Sequence, residues 1–191
     1  MIEPSLGTLD ERELARRATL GQEAAFAEIV RRHQGPVYRF CLRYLSPADA
    51  EDSAQETFVR AFTHRHRIDP DRPLLPWLLT VARHLSIDRL RRRESSGAND
   101  LIDDPDAHAD TRAGDALGSA MTGQRAEILR QGLASLPEGQ REAVMLFHVE
   151  GLAYKDIATT LEVPVGTVMT WLHRARARLK KLVESAEKTP E

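Results

Sequence analysis

The segment GTVMTWLHRARARLKK, residues 166–181, carries five fixed positive charges and no carboxylate. Guanidinium and ammonium groups pair with phosphate, so this composition favours contact with a nucleic-acid backbone. As a helix, the segment has an apolar side and a polar side. The apolar side consists of Val168, Leu172, Ala175, Leu179 and Leu182, and the polar side of Thr170, His173, Arg174, Ala177 and Lys181. A basic face that meets only solvent is one alternative, and a helix lying on a membrane surface is another.

A second helical segment, 153–161, precedes the basic one across the short turn Glu162-Val163-Pro164-Val165. Counted from Tyr154, apolar or small residues fall where a helix-turn-helix needs them. These residues are Ile157, Ala158, Leu161, Val163 and Val168. The motif places the start of its second helix in the major groove of DNA. The side chains predicted to meet the duplex are Thr167, Met169, Thr170, His173 and Arg174, with Arg176 and Arg178 lying against phosphates.

A helix predicted over 47–64 has one acidic side. Ser46 is its expected cap, Pro47 suits the first turn, and Asp49 lies three residues after the cap. The apolar side, expected to pack in a core, consists of Ala54, Phe58, Ala61 and Phe62, and the opposite side of Asp52, Gln55 and Glu56. An outward face of carboxylates and an amide suits a basic partner, and an ordinary solvated face is the alternative.

Charge is segregated along the chain. The acidic cluster consists of Asp49, Glu51, Asp52 and Glu56, and a later basic cluster of Arg83, Arg89, Arg91, Arg92 and Arg93 contains only Asp88 as a carboxylate. This patterning predicts partners of both signs. On the helix predicted over 75–93, Trp77, Thr80 and His84 share one side. For Trp77, a place in the core and a contact with nucleic acid are both open.

Catalysis has little support in the residues. His84, Ser86 and Asp88 have the types of a hydrolase triad, but residues two apart on a helix point about 200° away from one another, so they cannot converge. His64, His66 and Cys41 lack the paired-ligand spacing of zinc sites. We therefore expect no enzymatic activity, no metal and no cofactor.

The elements that must position these groups are helical. The chain has 191 residues, 41% hydrophobic and 29% charged, with a net charge of -2, which suits two small cores or one of moderate size. Helices are predicted near 11–33, 36–45, 47–64, 75–93, 124–134, 137–150, 153–161 and 165–184. The helix near 137–150 is expected to open with the capping pattern Ser135-Leu-Pro-Glu138.

An acidic segment of low hydrophobic periodicity divides these helices into two groups. Between Glu94 and Asp115 there are seven carboxylates and one arginine. Such a composition is typical of a flexible linker. The sequence therefore predicts an all-α fold with two small helical domains, 1–94 and 124–191, joined by a flexible acidic linker over 95–123.

Secretion and membrane insertion are not expected. The first residues lack a basic segment followed by an apolar run and a cleavage site, and no apolar stretch approaches the roughly 18 to 20 residues that cross a bilayer. Cys41 is the only cysteine, so an intramolecular disulfide is excluded and a buried, inert thiol is expected. We expect a cytoplasmic protein.

Three ordered segments resemble regions of the extracytoplasmic-function group of bacterial sigma factors. DAEDSAQETFVRAF (49–62) is similar to region 2.2, PWLLTVARHLSIDRLRRR (76–93) to regions 2.3 and 2.4, and LPEGQREAVMLFHVEGLAYKDIATTLEVPVGTVMTWLHRARARL (136–179) to region 4. The resemblance implies a sigma region 2 bundle and a region 4 helix-turn-helix domain. It also implies a function in promoter-specific transcription initiation by RNA polymerase.

Partners and site residues follow from this resemblance. It implies that Asp49, Asp52, Gln55 and Glu56 meet the β′ clamp helices of core polymerase, with the β flap as a further contact. It assigns the loop 63–76 and the helix after it to the promoter -10 element, where a flipped base is held. The residues implied on this side are Arg65, Trp77, Thr80, Arg83, His84, Arg89, Arg91 and Arg92, with Arg93 as a further phosphate ligand. The helix-turn-helix is implied to read the -35 element, and an anti-sigma factor is an implied regulator.

Departures from the family pattern prevent any transfer of promoter sequence. Arg83-His84 stands where the family often has Arg-Asn, and Met169 and Trp171 remove two cations from the recognition helix. Contact with thymine methyl groups is one role for such apolar side chains, and packing of Trp171 beside Val168 and Ala175 is the other. Ala153 replaces a frequent serine, so a side-chain cap is missing there.

The residues are also compatible with two other classes of function. One is a regulator that binds duplex DNA alone through 153–181 and uses its amino-terminal domain for dimerisation or ligand sensing. The other is an interaction protein that sequesters or bridges other regulators. The acidic side of the 47–64 helix separates these classes, because a polymerase subunit needs such a face and a repressor does not.

Overall fold

The computed structural model describes residues 5–95 and 124–187, and its regular structure there consists of helices without strands. The all-α prediction is confirmed. The chain separates into two compact units, Met1–Ala98 and Asn99–Glu191. Nearly all of the predicted linker, 96–123, lies outside the described residues. Within the described ranges, no helix is long and apolar enough to cross a membrane.

Within residues 5–95, the described part of the amino-terminal unit, the chain forms four α-helices. They are α1 (Glu11–Thr19), α2 (Glu23–Cys41), α3 (Pro47–Thr63) and α4 (Leu74–Ser95), with short 3-10 turns at Leu6–Thr8 and Arg65–Arg67. The α2 helix packs against the other three. Its buried side includes Phe26, Ile29, Val37 and Phe40, which meet a core completed by Leu14, Leu78 and Leu79. Burial of these side chains is the main stabilising contribution to such a bundle.

The predicted boundaries near the start of the chain are wrong in two places. The helix predicted over 11–33 is interrupted at Gly21, whose φ of +89° favours glycine and ends α1. The predicted break before Pro36 is missing, because α2 continues through that proline to Cys41. Proline removes one backbone hydrogen bond, but burial of Val37 and Phe40 on the same stripe as Ile29 offsets that loss.

Within residues 124–187, the described part of the carboxyl-terminal unit, the chain forms four further helices. They are α5 (Gln124–Ala134), α6 (Glu138–His148), α7 (Tyr154–Leu161) and α8 (Val165–Glu187). The long α8 helix packs against α5, α6 and α7. Its buried contacts include Leu172, which joins a core of Leu133, Met145, Leu146 and Ile157.

The caps of these helices differ in part from the predictions. Pro137, and not Ser135, is the N-cap of α6, and it offers no side-chain cap. The Ser135 hydroxyl instead donates to the carbonyl of Gly132, at 2.8 Å. Ala153 stands at the N-cap of α7 without a side-chain bond, as expected. The α7 helix ends on Glu162, whose φ of +56° turns the chain sharply towards α8.

Candidate protein and nucleic-acid interfaces

The outward side of α3 carries the acidic surface, defined as Asp52, Gln55 and Glu56, and all three residues are exposed. The opposite side of the helix packs into the domain through Ala54, Phe58 and Ala61. Ser46 caps the helix as predicted, because its Oγ accepts from the backbone N–H of Asp49. The helix therefore presents an outward carboxylate and amide face on a fixed apolar base.

Two arginines of α4 hold part of this acidic cluster. Arg89 Nη1 donates to the Asp49 carbonyl at 2.9 Å and to Ser53 Oγ at 3.1 Å, and its Nη2 donates to Asp52 Oδ2 at 3.1 Å. Arg93 Nη1 lies 3.0 Å from Asp49 Oδ2. Arg89 and Arg93 were interpreted from sequence as phosphate ligands, whereas the structure uses them to join α4 to α3. Because Asp49 pairs with these arginines, only 21% of its side chain is exposed, compared with 64% for Asp52.

A groove of about 740 Å³ lies between α2 and α3, beside the acidic surface. It is lined by Val30, Gln34, Gly35, Tyr38, Glu51, Ala54, Gln55 and Phe58. Gln55 belongs to both the groove and the acidic surface. The groove was not predicted, because it depends on how α2 and α3 pack, and the sequence of either helix alone does not reveal it.

The α4 helix places the other predicted side chains of this unit at different depths. Trp77, Thr80 and Arg83 are half-buried, and His84 is exposed. The Thr80 hydroxyl donates to the Pro76 carbonyl at 2.9 Å. Arg91 and Arg92 are exposed near the helix end. The half-buried Trp77 indole therefore packs in part into the domain and is in part accessible at its surface.

The connection between α3 and α4 is held by contacts that sequence reasoning partly missed. Arg65 lies over the ring of Phe62, 4.7 Å from guanidinium carbon to ring centroid, and Nη1 donates to the Phe62 carbonyl. At the other end, Glu11 Oε1 accepts from the backbone N–H of Leu74 at 2.7 Å. No pattern in the sequence signals that bond, because its partners lie far apart along the chain.

The α8 helix presents its predicted DNA side to solvent. Met169, Thr170, His173 and Arg174 are exposed, and Thr167 is half-buried. Val168, Leu172 and Ala175 are buried on the inner side. The predicted inner stripe fades towards the carboxyl end, because Leu179 is half-buried and Leu182 is 38% exposed.

Two ring contacts fix α8 against α6. The Trp171 ring lies over Gly139, where an added Cβ would stand 2.6 Å from Cη2. Packing against the domain is thus the correct alternative for Trp171, although its partner is α6 and not only its own helix. Arg176 lies over the Phe147 ring at 5.1 Å, and burial together with the charge of Arg176 lowers the pKa of the neighbouring His148. Arg178 is exposed.

The side chains whose types suit catalysis or metal binding do not come together in the described residues. Ser86 is fully buried while His84 and Asp88 are exposed, so these three side chains do not meet on one surface. Burial raises the pKa of the Cys41 thiol to about 11, in keeping with the inert thiol expected from the sequence. Among the described residues, no group of histidine, cysteine and carboxylate side chains is placed to hold a metal ion.

Comparison with known proteins relates both units to one family. The profile of sigma-70 region 2 matches residues 29–96, and that of sigma-70 region 4 matches residues 126–179. The ECF RNA polymerase sigma factor SigW of Bacillus subtilis (strain 168) is 30% identical over 178 residues, which cover 84% of this chain and 90% of SigW.

Solved structures give the same assignment of fold. CnrH, in complex with the cytosolic domain of CnrY, aligns with a TM-score of 0.62 and 26% identity over 92% of this chain and 97% of CnrH. The sigma factor RpoE of Bartonella quintana, in complex with the anti-sigma factor NepR, aligns with a TM-score of 0.61 over 83% of this chain and 96% of RpoE. At 22% identity, RpoE supports the fold alone. With the matches to both regions and to SigW, the chain belongs to the extracytoplasmic-function RNA polymerase sigma factors of the sigma-70 family.

Proposed function

We propose that this chain binds core RNA polymerase through the acidic surface and directs it to promoters through α4 and α8. The observation that carries the proposal is the division of charge between the units. One presents Asp52 and Glu56 outward on α3, and the other presents exposed cations on α8. A repressor that binds duplex DNA alone would need only the second of these faces. The proposed place of action is the cytoplasm, where polymerase and promoter DNA meet.

The polymerase contact combines the acidic surface with the adjacent groove. Asp52 is 64% exposed even though it accepts from Arg89, so one side of its carboxylate is accessible to a cationic side chain. Glu56 pairs with Arg60 on the same helix, and about half of each side chain is exposed. Such an exposed pair contributes little stability by itself. Breaking the Glu56–Arg60 pair on binding therefore costs little free energy, which suits a docking site for the β′ clamp helices. The β flap would contact the carboxyl-terminal unit.

Promoter recognition is divided between the two units. At the start of α8, Met169, Thr170, His173 and Arg174 have the exposure that a major-groove helix needs, and Thr167 is half-buried beside them. Arg176 and Arg178 follow on the basic half. This helix is the proposed reader of the -35 element. A good base contact is worth about 1 to 3 kcal/mol, so replacing one reading side chain is expected to weaken binding by about tenfold or more.

The -10 element is assigned to α4 and the connection before it. Flipping a base costs a few kcal/mol of lost stacking. Stacking on an aromatic side chain is worth about 1 to 3 kcal/mol per base, so the half-buried Trp77, aided by Thr80, Arg83 and His84, is able to offset much of that cost. Arg65, Arg91 and Arg92 are the proposed cations along the strand. Arg89 has a smaller part in this assignment because it is engaged with α3.

Run-off transcription with purified core polymerase tests the proposal. Permanganate footprinting of unpaired thymines separates promoter opening from initial binding. We expect Arg174→Ala to weaken promoter binding by about tenfold. Trp77→Ala and His84→Ala are expected to reduce opening more than initial binding. If the chain binds duplex promoter tightly by itself and adds nothing to core activity, a stand-alone regulator replaces this proposal.

Regulation by an anti-sigma factor completes the proposal. The related CnrH was solved with the cytosolic domain of a second protein. A partner that covers the acidic surface would exclude polymerase, and one that covers α8 would exclude DNA. Affinity capture of the tagged chain from its native cells is expected to recover an inhibitor that suppresses run-off transcription. Free activity of the purified chain, with no inhibitor recovered, would contradict this part.

A further inference from the structure

The first turn of α1 contacts the start of α4 across the amino-terminal unit. Glu11 Oε1 accepts from the backbone N–H of Leu74 at 2.7 Å. Leu74 is the first residue of α4, and the first N–H groups of a helix have no partner within the helix. Glu11 therefore caps α4 from outside, as a charged acceptor at the positive end of the helix dipole.

A second contact from the same turn holds the connection that leads into α4. Arg12 Nη2 lies 2.5 Å from Asp71 Oδ1. The neighbouring Asp69 accepts from the backbone N–H of Asp71 at 3.0 Å and keeps this part of the chain turned. Two consecutive residues of α1 thus contact two points, Asp71 and Leu74, at the end of the connection.

The position of Glu11 is restrained by its own neighbours. His33 Nε2 on α2 lies 3.6 Å from Glu11 Oε1, and only 12% of the His33 side chain is exposed. Leu14 and Ala15, which follow on α1, are fully buried. The Glu11 carboxylate therefore projects from a packed helix beside a packed side chain, and both limit its movement relative to α4.

We propose that Glu11 is a positioning residue for promoter opening, with Arg12 as its auxiliary. Fixing the N–H of Leu74 sets where α4 begins, and Trp77 follows one turn later on the same helix. The buried Leu74 side chain prevents that turn from sliding outward. Residues 11 and 12 precede the segment matched by the region 2 profile, which begins at residue 29, so nothing in that match assigns them a role. The inference rests on the proposed reading of the -10 element by α4.

Three variants separate positioning from general stability. Glu11→Ala removes the acceptor, whereas Glu11→Gln keeps an oxygen that accepts from Leu74. Glu13→Ala is the matched control, because Glu13 lies on the same helix with 41% of its side chain exposed, against 42% for Glu11, and its carboxylate pairs with Arg17 of α1. Each variant is assembled with core polymerase and compared with wild type for core affinity, promoter binding and permanganate reactivity.

We expect Glu11→Ala to lower the fraction of opened promoter by about fivefold to tenfold, as loss of one hydrogen bond predicts. Glu11→Gln should recover most of that loss, Glu13→Ala should match wild type, and core affinity should stay unchanged in all three. Hydrogen exchange of the backbone N–H groups of Leu74, Leu75 and Trp77 should accelerate in Glu11→Ala and not in Glu13→Ala. A variant that loses core affinity along with opening would indicate unfolding of the unit and overturn the positioning role.

The two proposals fail in different ways. If wild type opens the promoter and Glu11→Ala opens it equally well, the positioning role is wrong while the sigma function stands. If wild type itself adds no opening to core polymerase, the proposed function fails first. Opening lost equally in Glu11→Ala and Glu11→Gln would also contradict the inference, because the amide oxygen should still cap Leu74.

Discussion

Two arginine-rich helices, α4 and α8, look alike in sequence and behave differently in the structure. On α4, Arg89 and Arg93 contact the carboxylates and backbone of α3. On α8, Arg174 and Arg178 are exposed, and their side chains make no ion pair or hydrogen bond within the described part of the chain. A count of cations along a sequence therefore measures charge, and the packing of neighbouring helices decides how much of it is accessible to a ligand.

The physical difference lies in what each helix packs against. The α4 helix lies beside α3, whose first turns bring Asp49 and Asp52 within reach of its arginines. The α8 helix packs against α6 through aromatic rings. The Trp171 ring lies over Gly139, and the Arg176 guanidinium lies over the Phe147 ring. Ion pairs and hydrogen bonds of its arginines thus hold α4 against α3. Ring contacts hold α8 against α6 and leave most of the α8 cations exposed.

The largest expected effect comes from disturbing the contact between Trp171 of α8 and Gly139 of α6. Gly139→Ala places a Cβ 2.6 Å from a rigid indole ring, so Trp171 must shift. Overpacking of this kind is expected to lower the free energy of unfolding of the carboxyl-terminal unit by about 2 kcal/mol. Urea unfolding measures it. Gly166→Ala is the matched control, since a Cβ there meets open space, and its stability should stay equal or rise.

A somewhat smaller effect is expected from removing the hydrogen bonds that join α4 to α3. Arg89→Gln removes the bonds to Asp49, Ser53 and Asp52, and should lower the free energy of unfolding of the amino-terminal unit by about 1 to 2 kcal/mol. Arg91→Gln, two residues on and exposed, should change it by less than about 0.5 kcal/mol. Equal destabilisation by the two substitutions would remove the contrast between held and accessible arginines.

Salt dependence of promoter binding sharpens the comparison further. If Arg178 meets a phosphate, Arg178→Gln should reduce the slope of log affinity against log salt by about one in the assembled holoenzyme. Arg89→Gln should leave that slope unchanged, because Arg89 is engaged with α3. Fluorescence anisotropy of labelled promoter at several salt concentrations measures both slopes. A larger change for Arg89 than for Arg178 would reverse the assignment.

The smallest expected effect is on the pH dependence of the amino-terminal unit. Burial lowers the pKa of His33 below its ordinary value of 6.5, and the charge of Arg32 acts in the same direction while Glu11 opposes it. The unfolded chain therefore binds the proton first, so stability is full above about pH 6.5 and falls as the pH drops through the lowered pKa. His33→Gln should show a smaller loss between about pH 7.5 and about pH 5.5 in urea unfolding. An identical pH profile would contradict the buried state of His33.

How much the sequence predicts follows from the range of each interaction. The caps and faces of α3 and the inner side of α8 through Ala175 depend on neighbours within a turn or two, and these predictions are confirmed. Three other contacts join residues far apart in the chain. They are the packing of Trp171 on Gly139, the hydrogen bond between Leu74 and Glu11, and the hydrogen bond from Arg89 to Ser53. No local period encodes such contacts.

The break at Gly21 and the continuity through Pro36 show how tertiary packing changes local expectations. The sequence predicts one helix near 11–33, which includes Gly21, and a second near 36–45, which begins at Pro36. Instead, α2 continues through Pro36 because Val37 and Phe40 are buried beyond it, and the turn at Gly21 lets α1 fold back against α2. Burial therefore decided the boundary at Pro36, and the positive φ of Gly21 decided the end of α1.

Binding of core polymerase by a double variant of the acidic surface tests the central claim most directly. Asp52→Asn keeps an oxygen for Arg89, and Glu56→Lys reverses the outward charge, so the variant should keep its fold. Labelled chain is titrated with core polymerase and followed by anisotropy. The account predicts that the double variant binds at least about tenfold more weakly, a loss of roughly 1.4 kcal/mol, while Arg174→Ala binds core as wild type does. Wild-type affinity in the double variant, or a loss confined to Arg174→Ala, would contradict it.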